Sequence, residues 1–148
     1  KFVLHVHTDA GIAVAATKEG LLPISQHALI ALPNLAYHDY EGIALDLDER
    51  ERLVRDLGDK RALMLWNHGT LSVGETAAQC WTMIFFLERA CQIQVMASAQ
   101  GREHIRMAPE EAIEVVKVQQ AVANTAGAML AWPGCLRKLD RESPGYDT

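Results

Sequence analysis

The chain begins KFVLHVHTDAG, which sets His5 and His7 two residues apart inside an apolar run, and a third histidine, His68, follows much later in the segment WNHGT. Imidazoles at i and i+2 can share an ion only on an extended segment. There the two side chains lie on one face with Cα atoms about 6.7 Å apart, whereas on a helix they would point about 200° apart. Zinc takes neutral imidazole nitrogens at about 2.0 to 2.1 Å, and a catalytic zinc commonly has three protein ligands and one open position. His68 is the best third ligand, because NHG places it in a tight turn ending an apolar strand, where a side chain projects off the rim of a sheet. Gly69 is expected to supply a positive φ in that turn, and Asn67 to hydrogen-bond nearby backbone. The spacing alone leaves the matter open. With six histidines in 148 residues a chance i,i+2 pair arises in about a quarter of such chains, so two half-buried strand histidines are the competing reading. His27, His38 and His104 fall outside the constellation and read as surface or hydrogen-bonded structural residues.

These side chains need elements to hold them. Phe2, Leu4 and Val6 alternate with Val3, His5 and His7, the period of a half-buried strand. Thr8 can cap a short helix reaching Thr17 or Lys18, with Asp9 in its first turn and Gly20 after its end. A second short helix is expected from Ser25, between Pro23 and Pro33, and LAYHDYEG reads as a strand end running into a turn. Asp48 and Glu51 form a capping-box pattern for a helix stopping at Gly58, and RALMLWNHGTLSVG reads as a β-hairpin. From Glu75 to about Gln100 neither Gly nor Pro interrupts a helix-friendly stretch, and a last helix is expected from Pro109 toward Leu130. Residues 132–148 read as a polar, turn-rich tail. DERERLVRD reads as an exposed helix face with i,i+4 charge pairs, and the FF and CW elements as core packing. Tyr37 and Tyr40 read as packed rings with hydrogen-bonded hydroxyls.

At 148 residues the chain fits one domain, large enough to bury about 70% of its unfolded surface. Strands interspersed with helices on this scale indicate a layered α/β domain. A net charge of −5 gives no broad attraction to phosphate backbones, so nucleic acid is not an expected partner. No apolar stretch reaches the roughly 18 residues of a membrane span. Cys80, Cys91 and Cys135 are odd in number and lack C-x-x-C spacing, which suits reduced, buried thiols in a cytoplasmic protein. The chain enters an apolar strand at once without an initiator Met, and a preceding stretch of the natural protein is expected.

Five ordered blocks, HVHTDAG, KEGLLPISQHAL, AYHDYEGIALD, NHGTLSVGET and LERACQIQVMASAQG, resemble the class II aldolase/adducin family over about the first 100 residues. The resemblance implies a three-layer α/β/α domain with a largely antiparallel central sheet, tetramers with active sites at subunit interfaces, and a divalent metal, usually zinc. Carried over by position, its ligands are His5, His7 and His68. The implied chemistry makes or cleaves a carbon–carbon bond beside a carbonyl, through an enediolate-like intermediate of a small carbonyl or carboxylate substrate; a Lewis acid suits the charge that builds on that oxygen. The family's acid/base carboxylate and phosphate-binding loops lie upstream of the H-x-H block, so the resemblance assigns no catalytic role to Asp9, Glu19, Asp39 or Glu41. Asp9 reads as a helix-start residue and Glu41 as a turn residue. Two further readings stay open: an adducin-like domain serving in cytoskeletal assembly, and a scaffold that only oligomerises. The long basic tail of adducins is not among these residues, which favours the lyase.

Overall fold

The computed structural model describes residues 1–42 and 48–147, with the backbone course alone over 121–126. The opening alternation becomes strand β1 (Phe2–Val6), whose Leu4 and Val6 pack on the core while Val3 and His5 face the other way. Thr8 caps helix α1 (Asp9–Ala15) by accepting from the Gly11 N–H. That helix ends before Thr17, earlier than its pattern suggests, because the Thr17 hydroxyl turns back onto the Val14 carbonyl. Ser25 caps α2 (Gln26–Ala31), and a 3-10 turn carrying Pro33 delivers the chain into strand β2 (Leu35–His38).

Helix α3 (Glu49–Leu57) ends at Gly58, where φ is +54°, but Asp48 has helical backbone angles and makes no side-chain cap. The expected capping box is realised elsewhere, at Thr76 and Gln79, which cap helix α4 (Ala77–Ser98) reciprocally. The IALD end of the AYHDYEGIALD block falls at 43–46, outside the described residues. The expected hairpin forms from β3 (Ala62–Leu65) and β4 (Gly69–Gly74). The last helix, α5 (Glu110–Glu142), runs on past Leu130 and through Pro133, so most of the expected turn-rich tail is helical. Proline removes one backbone donor there, opposite the solvent-exposed Met129, and Leu136 to Leu139 are good helix formers.

The four strands form one sheet in the order β1-β4-β3-β2. Two of its pairings, β1 with β4 and β3 with β4, are antiparallel, and β2 runs parallel to β3. A parallel neighbour needs a crossover, and α3 lies on that connection. Alternation along the strands separates two faces. Leu4, Val6, Leu35, Tyr37, Ala62 and Met64 meet α1, α2 and α4 in the main core, with α5 outside against α4 and α2. The opposite face carries His38, which reaches α3 through Asp56. The domain therefore has the expected three-layer α/β/α arrangement. Helix α4 presents Cys80, Ile84, Leu87, Cys91 and Gln94 as one inward stripe at helical spacing. Burying Leu87 alone stabilises the fold by about 1.5–3 kcal/mol. Among the described residues no helix is long and apolar enough to cross a membrane.

The turn at residues 66–68 departs from expectation. Its positive φ, +56°, falls at Asn67 and not at Gly69. Asn tolerates that conformation, and its N–H donates to the Ala15 carbonyl at 3.1 Å, tying the turn to α1. Gly69 is needed for room: a Cβ there would lie 2.6 Å from the Val6 carbonyl oxygen and 3.0 Å from His7 Cδ2. Gly69→Ala is expected to lower stability by about 1–3 kcal/mol in urea unfolding and to shift the ring resonances of His5 and His7; no change in either would mean that the strands have slack.

All three cysteines are free, with Cys80 and Cys91 buried and Cys135 only half-buried, less covered than expected. Burial, reinforced by the nearby Glu88 charge, pushes the Cys91 thiol up to about 12. In the folded protein at about pH 8, iodoacetamide should modify Cys135 and spare Cys91, as mass spectrometry of tryptic peptides can measure. Equal labelling of both would contradict the packing of α4.

Candidate metal centre

The β1–β4 register sets Val6 opposite Thr70 and His5 opposite Leu71, so the end of β1 lies beside the start of β4 and the turn that precedes it. The three histidines meet there. Ring centroids are 4.6 Å apart for His5 and His7, 4.9 Å for His5 and His68, and 4.7 Å for His7 and His68. One ligand nitrogen from each ring lies within 4.8 Å of the others. His5 and His7 are exposed and His68 is half-buried, so the cluster opens to solvent.

His5 Nδ1 lies 2.9 Å from the Thr70 carbonyl oxygen. A carbonyl only accepts, so Nδ1 carries the proton and Nε2 keeps its lone pair, the tautomer of a metal-binding histidine whose other nitrogen is anchored to backbone. That Nε2 faces His7 Nε2 at 2.8 Å. As neutral rings the pair share one hydrogen bond; with the His7 proton on Nδ1, both nitrogens offer lone pairs to one point. Burial first, then the neighbouring His5 and His7, lower the His68 pKa, with Glu49 opposing them. His68 is thus held neutral, the form that ligates. Three imidazole nitrogens converging at the rim of a sheet, one orientation locked by backbone, fit a divalent ion with an open position.

Behind the histidines stands Glu88 of α4, which accepts from the Thr70 hydroxyl at 2.6 Å and from the Thr8 hydroxyl. Thr8 also caps α1, and Thr70 supplies the carbonyl that holds His5. One carboxylate therefore ties β4, α1 and α4 together beneath the cluster. Gly11 leaves space for it, since a Cβ there would lie 2.9 Å from Glu88 Oε1. Sequence reasoning missed Glu88, although an acid inside the apolar run IFFLERAC was the signal.

The other singled-out residues fall in several places. Tyr37 is packed as expected: its ring stacks on Trp66 at 4.7 Å, its hydroxyl accepts from the Leu21 N–H, and burial raises its pKa. Tyr40 departs from the packed reading. It is 53% exposed, with its ring 6.1 Å from that of His68, and stands as a wall beside the cluster. Asp9 occupies the first turn of α1, Glu19 pairs with Arg102, and Asp39 is exposed. Glu41 pairs with Arg52 of α3. The FF and CW elements divide: Cys80 is buried, whereas Trp81 stacks on a substantially exposed Phe85 and meets Trp132 edge-on. His27 packs near Phe86 and His104 is exposed. His38 is buried and hydrogen-bonded through Nδ1 to Asp56.

Known proteins resemble this chain in sequence and fold. Residues 1–95 match the family model described as Class II Aldolase and Adducin N-terminal domain. A Caulobacter vibrioides protein provisionally named an aldolase class 2 protein is 64% identical over 145 residues, 98% of this chain and 56% of its own length. Alpha-adducin of Mus musculus is 47% identical over 108 residues, covering 71% of this chain and 15% of that protein. The crystal structure of an aldolase II superfamily protein from Pseudomonas syringae superposes with a TM-score of 0.92 at 46% identity, over 97% of this chain and 58% of that one. The chain thus spans a little over half the length of the bacterial relatives it matches. With the α/β/α layers and the match over the first 95 residues in agreement, the chain belongs to the class II aldolase and adducin N-terminal domain family.

Proposed function

We propose that this chain carries the metal centre of a class II aldolase-type lyase, in which His5, His7 and His68 hold a divalent ion and the substrate is a small carbonyl or carboxylate compound. The observation that carries this reading is the convergence of three imidazoles, with His5 fixed in a ligating tautomer by the Thr70 carbonyl. Three nitrogen donors and an open side suit zinc. An ion bound there supplies Lewis-acid stabilisation of negative charge developing on a carbonyl oxygen as the adjacent carbon–carbon bond breaks or forms.

The protein's own groups provide position. Glu88 fixes Thr8 and Thr70, Thr70 fixes His5, and Asn67 anchors the turn that presents His68. Tyr40, exposed beside His68, offers an aromatic wall to a substrate. The reading extends to a tetramer and to the cytoplasm, where free thiols at Cys80, Cys91 and Cys135 are in keeping with a reducing compartment. The adducin-like alternative rests on the 47% identity with mouse alpha-adducin over 108 residues.

Metal analysis and activity together test the reading. His7→Ala should remove one equivalent of bound zinc per chain, and retro-aldol or decarboxylation turnover should be chelator-sensitive and fall on the order of 10³-fold or more in kcat/KM. Zinc content untouched by His7→Ala would remove the metal centre. Zinc held by the three histidines without turnover of any carbonyl or carboxylate substrate would select the scaffold.

A further inference from the structure

A second cluster lies at the same end of the sheet, around His38. This histidine ends β2 and is 3% exposed. Its Nδ1 lies 2.7 Å from Asp56 Oδ2 on α3; the carboxylate accepts, so Nδ1 carries the proton. The other nitrogen, Nε2, is buried without a hydrogen-bond partner in the described structure. It points at two carboxylates, with Glu49 Oε1 at 3.6 Å and Glu41 Oε1 at 4.0 Å. The three atoms lie within 4.8 Å of one another.

These separations are informative. Both exceed hydrogen-bond length. A protonated Nε2 would draw a carboxylate to about 2.7–2.9 Å, as Asp56 is drawn on the other side of the ring. Two ligand atoms each about 2.1 Å from a common ion stand roughly 3 to 4 Å apart, depending on the angle between them. The gap therefore has the size of an ion and not of a proton. Glu41 is also held by Arg52, whose Nε donates to both carboxylate oxygens at 2.8 Å and whose Nη2 donates to Oε2; Oε1, the oxygen with the fewer of these bonds, is the one that faces His38 Nε2.

We propose that His38, Glu41 and Glu49 form a second divalent-cation site, distinct from the three-histidine cluster and taking a divalent transition-series ion such as Zn²⁺ or Mn²⁺. One imidazole with two carboxylates is the donor set such ions accept. Asp56 is its positioning residue, orienting the imidazole as a carboxylate does behind a ligating histidine. The ion clips the end of β2 to the first turn of α3. Its donor set shares no residue with the first cluster: that one is built on β1 and the β3–β4 turn, this one on the end of β2 and α3.

Zinc titration by calorimetry, with Mn²⁺ binding followed by electron paramagnetic resonance, tests the site. The chain should bind two equivalents of Zn²⁺, and the double variant His5→Ala/His7→Ala should keep one. Adding Glu49→Gln to that background should weaken the remaining equivalent by on the order of 100-fold, and Asp56→Asn by about 10- to 100-fold. Glu49→Gln in the otherwise unchanged chain should lower the count from two to one, an arm that stands even where the double variant fails to fold. Nitrogen-15 spectra should show the His38 Nε2 resonance moving as Zn²⁺ is added. The proposal is overturned if Glu49→Gln leaves Zn²⁺ and Mn²⁺ binding unchanged, or if both His38 nitrogens are protonated and unmoved by metal. Loss of one equivalent on His7→Ala with none lost on Glu49→Gln would sink this site and leave the first intact; the opposite pattern would sink the first and leave this one.

Discussion

The antiparallel ladder between β1 and β4 is the constraint on which the site depends. It sets Val6 against Thr70 and so carries His5 and His7 to a turn more than sixty residues away. A ladder of this kind tolerates no slippage, because a shift of one residue would turn His5 into the core and Leu4 out of it. The ladder closes tightly at one point. Gly69 lets the Val6 carbonyl and the His7 ring approach where any side chain would intrude, so a residue that lacks chemistry of its own sets the spacing of those that have it.

Beneath that ladder a carboxylate serves as a joint. Glu88 sits on a helix whose inner stripe is otherwise nearly all apolar, and two threonine hydroxyls satisfy it. A partly buried carboxylate left without partners would cost several kcal/mol. Satisfied, it couples three elements that the apolar core alone would leave free to slide. Gln94 does the same work two turns along α4, accepting from the Leu22 N–H and donating to the Gly20 carbonyl. The long helix thus holds the loops on either side of α1 through polar contacts at defined points, while its leucine, isoleucine and cysteine side chains supply undirected cohesion.

The chemistry-bearing side chains collect at one rim of the sheet. The C-terminal ends of β1, β2 and β3 all lie there, because β1 and β2 both run parallel to β3. Two histidine-centred clusters follow from that geometry, one open to solvent and one around the buried His38 beside α3. Glu49 connects them electrostatically, since its charge raises the His68 pKa against the effect of burial.

Much of this was legible in local pattern. The alternation of residues 2–7 specified a strand, and with it the shared face of His5 and His7, because side-chain direction in a strand depends only on parity. The caps at Thr8 and Ser25 and the hairpin around NHG were equally readable, since each depends on a few adjacent residues. Where the local pattern misled, contacts made in the folded chain bore on the outcome: Asn67 holds the left-handed position and donates its N–H to Ala15, Gly69 leaves room for β1, and α5 runs past its proline with one donor lost opposite an exposed residue. Glu88, and the meeting of His38 with Glu41, Glu49 and Asp56, were decided by tertiary structure alone. A carboxylate's partner can come from any segment that topology brings within 3 Å, and nothing in the spacing of residues along the chain encodes that meeting.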